Sequence, residues 1–363
     1  MIKLLILTDE YGFFTETLKT NIMPNSVNIK KIESYLNEWY GEKLQVDIKN
    51  FHQLDLKHST DYSGYLVIYT SSDDLGLFYK DYIEDILLRL IAAGAILIPD
   101  FNLFRAHHNK AYMELYKTTF LTEEENTIKT IVFSSYKMLL KNLKLNDIEY
   151  PVVIKTASGA GSCGVGLARN QQELMKIAKK FSYRKYRDNY ATMYRTRIMQ
   201  IIKNKYRKFR KKRIVFYKPM QGKFIVQSFV KNLENDFKVL VFGEKYYVLK
   251  RLTREGDFRA SGSGRFIFPN NASAIMNVLN YAELVYKRLN VPCASLDIAD
   301  DGEKNYLIEY QCINFGPYTL EMSEHYFVKE NSIWVKKNED SELEREYVNA
   351  FIYYIEKNKY SKA

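Results

Sequence analysis

Long apolar runs are missing from this 363-residue chain. No stretch approaches the roughly 20 consecutive apolar residues that span a bilayer. The first residues, MIKLLILTDEYG, lack the apolar core and small-residue cleavage site of a secretory leader. Cysteine is scarce: Cys163, Cys293 and Cys312 show neither paired nor metal-like spacing. These absences argue against a helical membrane protein and against a disulfide-stapled secreted one. The expectation is a cytoplasmic protein, soluble or peripheral at the inner membrane surface.

Nucleophilic chemistry is also poorly provided for. Cys163 has no partnering histidine in its vicinity, and His107 and His108 are adjacent, so on a helix they point to different sides. Acids are nearly absent from one segment. Between Lys179 and Arg213 there are fifteen lysines and arginines and a single acid, Asp188. The chain's net charge of +11 resides there, and the remainder is close to neutral.

What is present is a distinctive stretch at Pro151–Gly166, PVVIKTASGAGSCGVG. Val152, Val153 and Ile154 favour a pleated strand, Lys155 closes it, and Gly159, Gly161, Gly164 and Gly166 let the following backbone turn closely. A lysine beside free backbone N–H groups suits a polyphosphate. Gly159 to Gly164 also fits G-x-G-x-x-G, but the loop runs into Val165–Ala168, which reads as a returning strand, and the helix begins only near Gln171. A dinucleotide fold needs the helix in the loop and an acid-tipped strand beyond it. The Gly-Lys-Ser/Thr ending of a P-loop is absent. A flexible hairpin is the plain alternative.

The rest reads as mixed α/β. Apolar runs at Ile2–Leu7, Leu44–Ile48, Tyr65–Tyr69 and Ala95–Ile98 alternate with helical spacing at Ile29–Trp39 and Tyr79–Ala93. This predicts a small layered domain over residues 1–105. Gly12, Asp73 and Asp74 fall where its loops leave strand ends, as ligand contacts or ordinary turn residues. A helix follows at residues 109–120, bearing Lys110. Later strands are expected at Phe224–Val230, Phe237–Phe242, Tyr246–Leu252, Ala294–Ile298 and Tyr306–Tyr310, with helices at Ala272–Leu289 and Ser341–Lys357. Asp297 lies on one of the last two strands. Glu309 and Gln311 lie on its hairpin partner, two residues apart and so on one face. Two carboxylates and an amide oxygen form a set suited to Mg2+, with a solvated face as the alternative.

Lys110, PVVIK with its glycine loop, FIVQSFV, EGDFRASGSGR and Asp297 with LIEYQ occur in the order seen in the ATP-grasp superfamily. The sequence resembles its carboxylate–amine ligase branch over about residues 95–320. The resemblance implies two lobes that clasp ATP behind a small N-terminal α/β domain: residues 1–105, then 106–226 with a basic helical insertion at about 180–213, then 227–363 with the metal site and a C-terminal helix. It implies ATP and Mg2+, and an amide made through an acyl phosphate. Lys110 and Lys155 would hold the phosphates, with the backbone of Gly159, Gly161, Ser162 and Gly164 over them. Gln227, Ser228, Phe229 and Val230 would form the adenine hinge, and Asp236 would lie near the ribose. Arg251 and Arg259 would stabilise the acyl phosphate and the transferring phosphoryl group, and Asp297, Glu309 and Gln311 would ligate Mg2+. The sequence departs from the family at Gln227, where Glu is usual, at Gln311, where Asn is usual, and in the loop after it. Substrates would be a small-molecule or glycan carboxylate and an amine, a carboxylated surface-sugar precursor being one such acid. A peptide or protein amino-acid ligase and a non-catalytic ATP-binding regulator stay open.

The span from Gly166 to Gln227 is longer than ordinary members use. Its apolar residues, from Tyr183 to Phe209, recur mostly three to four apart, as on an amphipathic helix. Three readings stay open: a lid helix packed on its own domain, a binder of an anionic membrane or glycan, and, least favoured, a nucleic-acid binder.

Overall fold

In the computed structural model of the protein, the described residues are 1–18, 26–72, 75–142, 148–159, 164–183, 190–210, 222–231, 233, 235–253 and 264–360. The chain divides into two compact units, Met1–Thr127 with Val230–Ala363, and Ile128–Phe229.

The first unit begins with a parallel sheet built from β1 (Ile2–Thr8), β2 (Leu44–Asn50), β3 (Tyr65–Tyr69) and β4 (Ile96–Ile98), in the order β2-β1-β3-β4. Leu4, Leu5, Ile6 and Leu7 are buried on alternate sides, as a central parallel strand covered on both faces requires. The crossovers are α1 (Ile29–Tyr40) and α2 (Gly76–Ala92), and α3 (Phe101–His107) and α4 (Lys110–Phe120) follow β4. Asn28 caps α1, its side chain accepting from the N–H groups of Lys30 and Lys31.

The second unit holds β5 (Thr130–Phe133), α5 (Tyr136–Asn142), β6 (Val152–Thr156), β7 (Val165–Ala168), α6 (Gln171–Ser182), α7 (Tyr190–Phe209) and β8 (Phe224–Ser228). Its strands pair antiparallel in the order β5-β8-β6-β7. Leu139, Val152, Ile154, Leu174, Phe224 and Val226 form its core. The glycine loop thus joins two antiparallel neighbours, β6 and β7, and α6 starts after β7 at Gln171. Asn170 caps it by accepting from the Glu173 N–H. A parallel β-α-β dinucleotide unit is not formed at this loop.

Returning to the first unit, β9 (Asn235–Phe242), β10 (Lys245–Leu252), β11 (Phe266–Ile267), α8 (Met276–Leu289), β12 (Cys293–Asp300), β13 (Asn305–Gln311), α9 (Tyr318–Glu321), β14 (Tyr326–Glu330), β15 (Ile333–Lys337) and α10 (Leu343–Lys357) complete the described elements. The large antiparallel sheet runs β13-β12-β9-β10-β14-β15, with β11 beside β10. One face carries Phe237, Val239, Val241, Leu296, Ile298 and Leu307 and packs on α8. Part of the other face, including Leu240, Phe242 and Tyr247, shares a core with α10 and with Leu4, Ile6 and Leu36 of the N-terminal layer.

The β14–β15 hairpin was not anticipated from the sequence. Its two-residue turn is Asn331-Ser332, both at positive φ (46° and 68°), the conformation that matches strand twist in a tight hairpin.

Candidate active site

Strand register sets the side chains of the candidate site. The β9–β10 turn places Gly243 at φ 59°, a position that glycine adopts without steric cost, and pairs Phe242 with Lys245. Counting outward along the ladder sets Asp236 opposite Arg251. On β12, Asp297 faces Lys238 of β9 on one side and Glu309 of β13 on the other. Alternation then gathers Asp236, Lys238, Arg251, Ser295, Asp297, Glu309 and Gln311 on one face of the sheet. Further along β9 the same face becomes apolar at Leu240 and Phe242, where α10 covers it.

The charges on this face are paired. Arg251 donates from Nε to Asp236 Oδ1 at 2.6 Å and from Nη2 to Asp236 Oδ2 at 2.8 Å. Its Nη2 also lies 2.9 Å from Asp297 Oδ2. Lys238 Nζ donates to Ser295 Oγ at 2.8 Å and lies 3.8 Å from Asp297 Oδ1. Lys110, the first residue of α4, donates to Glu309 Oε1 at 2.6 Å. Asn109 caps that helix by accepting from the Tyr112 N–H, which fixes where α4 and its lysine begin. Three carboxylates therefore meet three cations in a largely buried cluster. Buried charges persist only when paired in this way, because an unpaired one costs several kcal/mol.

Titration follows from the pairing. Burial pushes the Asp297 carboxyl up, but the Arg251 and Lys238 cations outweigh it, so Asp297 is held below the usual carboxylate range. Burial pushes Asp236 up to about 6, against the pull of Arg251 and with the Asp297 charge adding to the rise. Burial works against the charge on Arg251, yet Asp297 and Asp236 outweigh it and raise its pKa.

An aromatic and a loop border the cluster. The Tyr318 ring lies 5.5 Å from Lys238 Nζ and stacks on Phe266 at a centroid distance of 5.9 Å. The loop after β13 is tied to the loop after β1. Asn314 Oδ1 accepts from Thr15 Oγ1 and from the Glu16 N–H, each at 3.2 Å. Glu321 accepts from Thr17 Oγ1 at 2.5 Å and from the Leu18 N–H at 2.8 Å.

In the second unit, Lys155 sits in β6 opposite Val165 of β7 and Ile225 of β8. Gly159 and Gly164 both take positive φ (130° and 90°), and the Thr156 N–H donates to the Gly164 carbonyl at 2.9 Å. The hairpin flanking Lys155 needs glycine at these positions. Gln227 is buried and donates from Nε2 to Thr130 Oγ1 at 3.0 Å. Ser228 Oγ accepts from the Lys129 N–H at 3.1 Å. The chain leaves this unit between Phe229 and Val230.

Of the residues singled out in the sequence, one face of the large sheet brings together Arg251, Asp236, Asp297, Glu309 and Gln311, with Lys110 reaching in from α4. Lys155, Gly159, Gly164, Gln227, Ser228 and Phe229 belong to the other unit. Gly161, Ser162, Cys163, Arg259, Asp73 and Asp74 lie outside the described residues. His107 and His108 lie at the end of α3. His107 Nε2 is 3.1 Å from Ser71 Oγ, and His108 Nδ1 is 3.0 Å from the Phe104 carbonyl. Lys238, Ser295 and Tyr318 were missed. The signal for Lys238 was its two-residue spacing from Asp236, hidden inside a run read as apolar. No three His, Cys, Asp or Glu side chains form a metal-holding group among the described residues. The oxygen set here is two carboxylates and an amide. Hard oxygens on one face of the sheet are chemically compatible with Mg2+, although protein cations already pair with both carboxylates.

Residues 124–193 match the family of the ATP-binding domain of the carbamoyl-phosphate synthase L chain. No curated protein matches the chain by sequence. Among solved structures the chain is similar to D-cycloserine synthetase DcsG, at 12% identity and TM-score 0.49, covering 96% of this chain and 98% of that one. It is similar to the ATP-grasp ligase PsnB complexed with minimal precursor, at 9% identity and TM-score 0.48, covering 97% and 98%. A third is D-alanine–D-alanine ligase from Bacillus anthracis, at 12% identity and TM-score 0.45, covering 86% and 87%. Likeness at this level says nothing about this chain's substrates. The matched segment contains the Lys155 strand and its glycine hairpin.

Proposed function

We propose that the chain is an ATP- and Mg2+-dependent ligase that joins a carboxylate to an amine. The observation that carries this reading is the face of the large sheet on which Asp297 opposes Glu309 while Lys110, Lys238 and Arg251 neutralise them. Phosphoryl transfer needs positioned positive charge more than it needs a nucleophilic side chain. In this reading Asp297, Glu309 and Gln311 would hold Mg2+, which when bound would supply charge neutralisation to phosphate oxygens. Lys110, Lys155 and the backbone of the Gly159–Gly164 hairpin, Gly161 and Ser162 included, bind the phosphates. Gln227, Ser228, Phe229 and Val230 receive the base.

The substrate carboxylate oxygen attacks the γ-phosphorus, the bond to the β–γ bridging oxygen breaks, and ADP leaves. The amine nitrogen then attacks the acyl carbon, phosphate departs, and the nitrogen gives up a proton. Arg251 and Arg259 stabilise the negative charge on the transferring group. Asp236, expected near the ribose, grips Arg251 with both carboxylate oxygens, and here it orients that guanidinium. The loop that follows Gln311 is anchored by Asn314 to Thr15 and Glu16, so the N-terminal layer contributes to the acceptor side. For the acid, the reading keeps a carboxylated sugar or surface-glycan precursor, handled on the cytoplasmic side. A screen of candidate acids and amines for phosphate release from ATP tests it. Release that requires one acid and one amine together supports the ligase, and ATP binding without release under any pair supports the regulator.

A further inference from the structure

We propose that α7 is an anchor for an anionic membrane surface, a role apart from the ligase reading. The described part of α7 carries two unlike faces. Ile198, Ile202, Tyr206 and Phe209 recur at intervals of four, four and three, and with Met199 they form a stripe about 100° wide on a helix of 3.6 residues per turn. All five are exposed, Phe209 at 84%. Burial of such a stripe against the protein itself is the ordinary fate of an amphipathic helix, and in this structure the stripe is open. Lys205 borders it on one side, with Ile201 beyond, and Arg210 and Lys203 border it on the other. Arg207 and Lys208 lie further round. The Arg210 guanidinium bends back over the Tyr206 ring, 5.6 Å from its centroid, so the cation stays beside the apolar stripe.

Charge alone would suit any polyanion. Nucleic acid or a soluble acidic glycan pairs with the cations and leaves the isoleucines and Phe209 in water. An anionic bilayer satisfies both faces: the stripe enters the boundary of headgroups and acyl chains, and flanking lysines and arginines reach lipid phosphates. Fifteen basic residues against one acid between Lys179 and Arg213 supply the complementary charge. No helix of the described residues is long and apolar enough to cross a membrane, so the helix would lie in the surface.

The test is co-sedimentation of the full chain with vesicles of phosphatidylcholine alone and of phosphatidylcholine mixed with phosphatidylglycerol. Each basic residue near an anionic surface changes partitioning about fivefold. The wild type should pellet with the mixed vesicles at about 0.1 M salt, not with the neutral ones, and should be released at about 1 M salt as the Debye length shrinks. Two variants separate the faces. The first, Ile198→Ser with Ile202→Ser and Phe209→Ser, keeps the charge. The second, Lys203→Gln, Lys205→Gln, Arg207→Gln, Lys208→Gln and Arg210→Gln, keeps the stripe. Both should keep the wild-type Tm, since the altered side chains are on the surface, and both should lose binding at least tenfold. Wild-type pelleting equal in both vesicles would overturn the proposal. So would full binding by the serine variant, which would assign the helix to soluble polyanions.

Discussion

Asp297 and Glu309 face each other across the β12–β13 ladder, and each carboxylate is held by a different cation: Arg251 Nη2 lies 2.9 Å from Asp297, and Lys110 Nζ lies 2.6 Å from Glu309. Two like charges directly opposite in a ladder destabilise it. The surrounding cations turn that conflict into a charge-balanced cluster.

On the proposed ligase reading, Glu309→Gln should weaken Mg2+ binding. A charged oxygen ligand becomes neutral, and Lys110 loses its anion. The Mg2+ concentration giving half-maximal phosphate release should rise by on the order of tenfold or more, the scale seen when metal-site groups are altered. A Mg2+ titration of mutant and wild type checks this, and coincident curves would remove Glu309 from the metal site.

Lys238→Met should lower turnover by about 10²-fold, the effect of deleting one electrostatic donor aimed at developing charge. Asp297 keeps Arg251 as a partner, so the fold should survive. Lys238→Arg should restore part of the rate, because it returns a cation to the same strand position. Full turnover of the methionine variant at saturating substrates would make Lys238 a structural residue only.

Lys155→Ala should lose about 10²–10³-fold in turnover while keeping the wild-type Tm. Its strand is held by pairing with β7 and β8 on both sides. Unaltered phosphate release would exclude it from the phosphate site.

His108 should make the first unit sensitive to acid. Burial, with Lys80, His107 and Arg105 nearby, holds its pKa down at about 4 from an ordinary 6.5. The unfolded chain binds the proton first, so stability falls as the pH drops from about 6.5 to about 4, by on the order of 3 kcal/mol at most. Urea unfolding of the wild type and of His108→Gln at the two ends of that window measures it. The variant should lose less stability than the wild type, and equal losses would contradict the assignment.

Several parts of the site were legible because strand alternation is simple. Glu309 and Gln311 share a face by spacing, and the register then brings Glu309 opposite Asp297. The Asp236–Arg251 pair was legible in principle: once the turn is placed at Gly243-Glu244, the ladder sets 236 opposite 251. Lys238 was obscured because its aliphatic stem sits in a strand of apolar neighbours, and only the register shows that Asp297 meets its ammonium. The order β2-β1-β3-β4 could not be read, because parallel pairing depends on how crossovers pack, not on local sequence. The anchoring of Asn314 to Thr15 joins residues about 300 positions apart, beyond any local pattern. The apolar spacing of α7 was legible, but its exposure was not, since exposure depends on what else packs there.

The most direct measurement is phosphate release from ATP by the wild type and by Asp297→Asn, each with a candidate acid, with a candidate amine, and with both. The wild type should release phosphate stoichiometrically with amide only when both are present, and Asp297→Asn should lose that release while the chain stays folded. Phosphate release that ignores the acid and the amine, or that survives intact in Asp297→Asn, would contradict a ligase built on this face of the sheet.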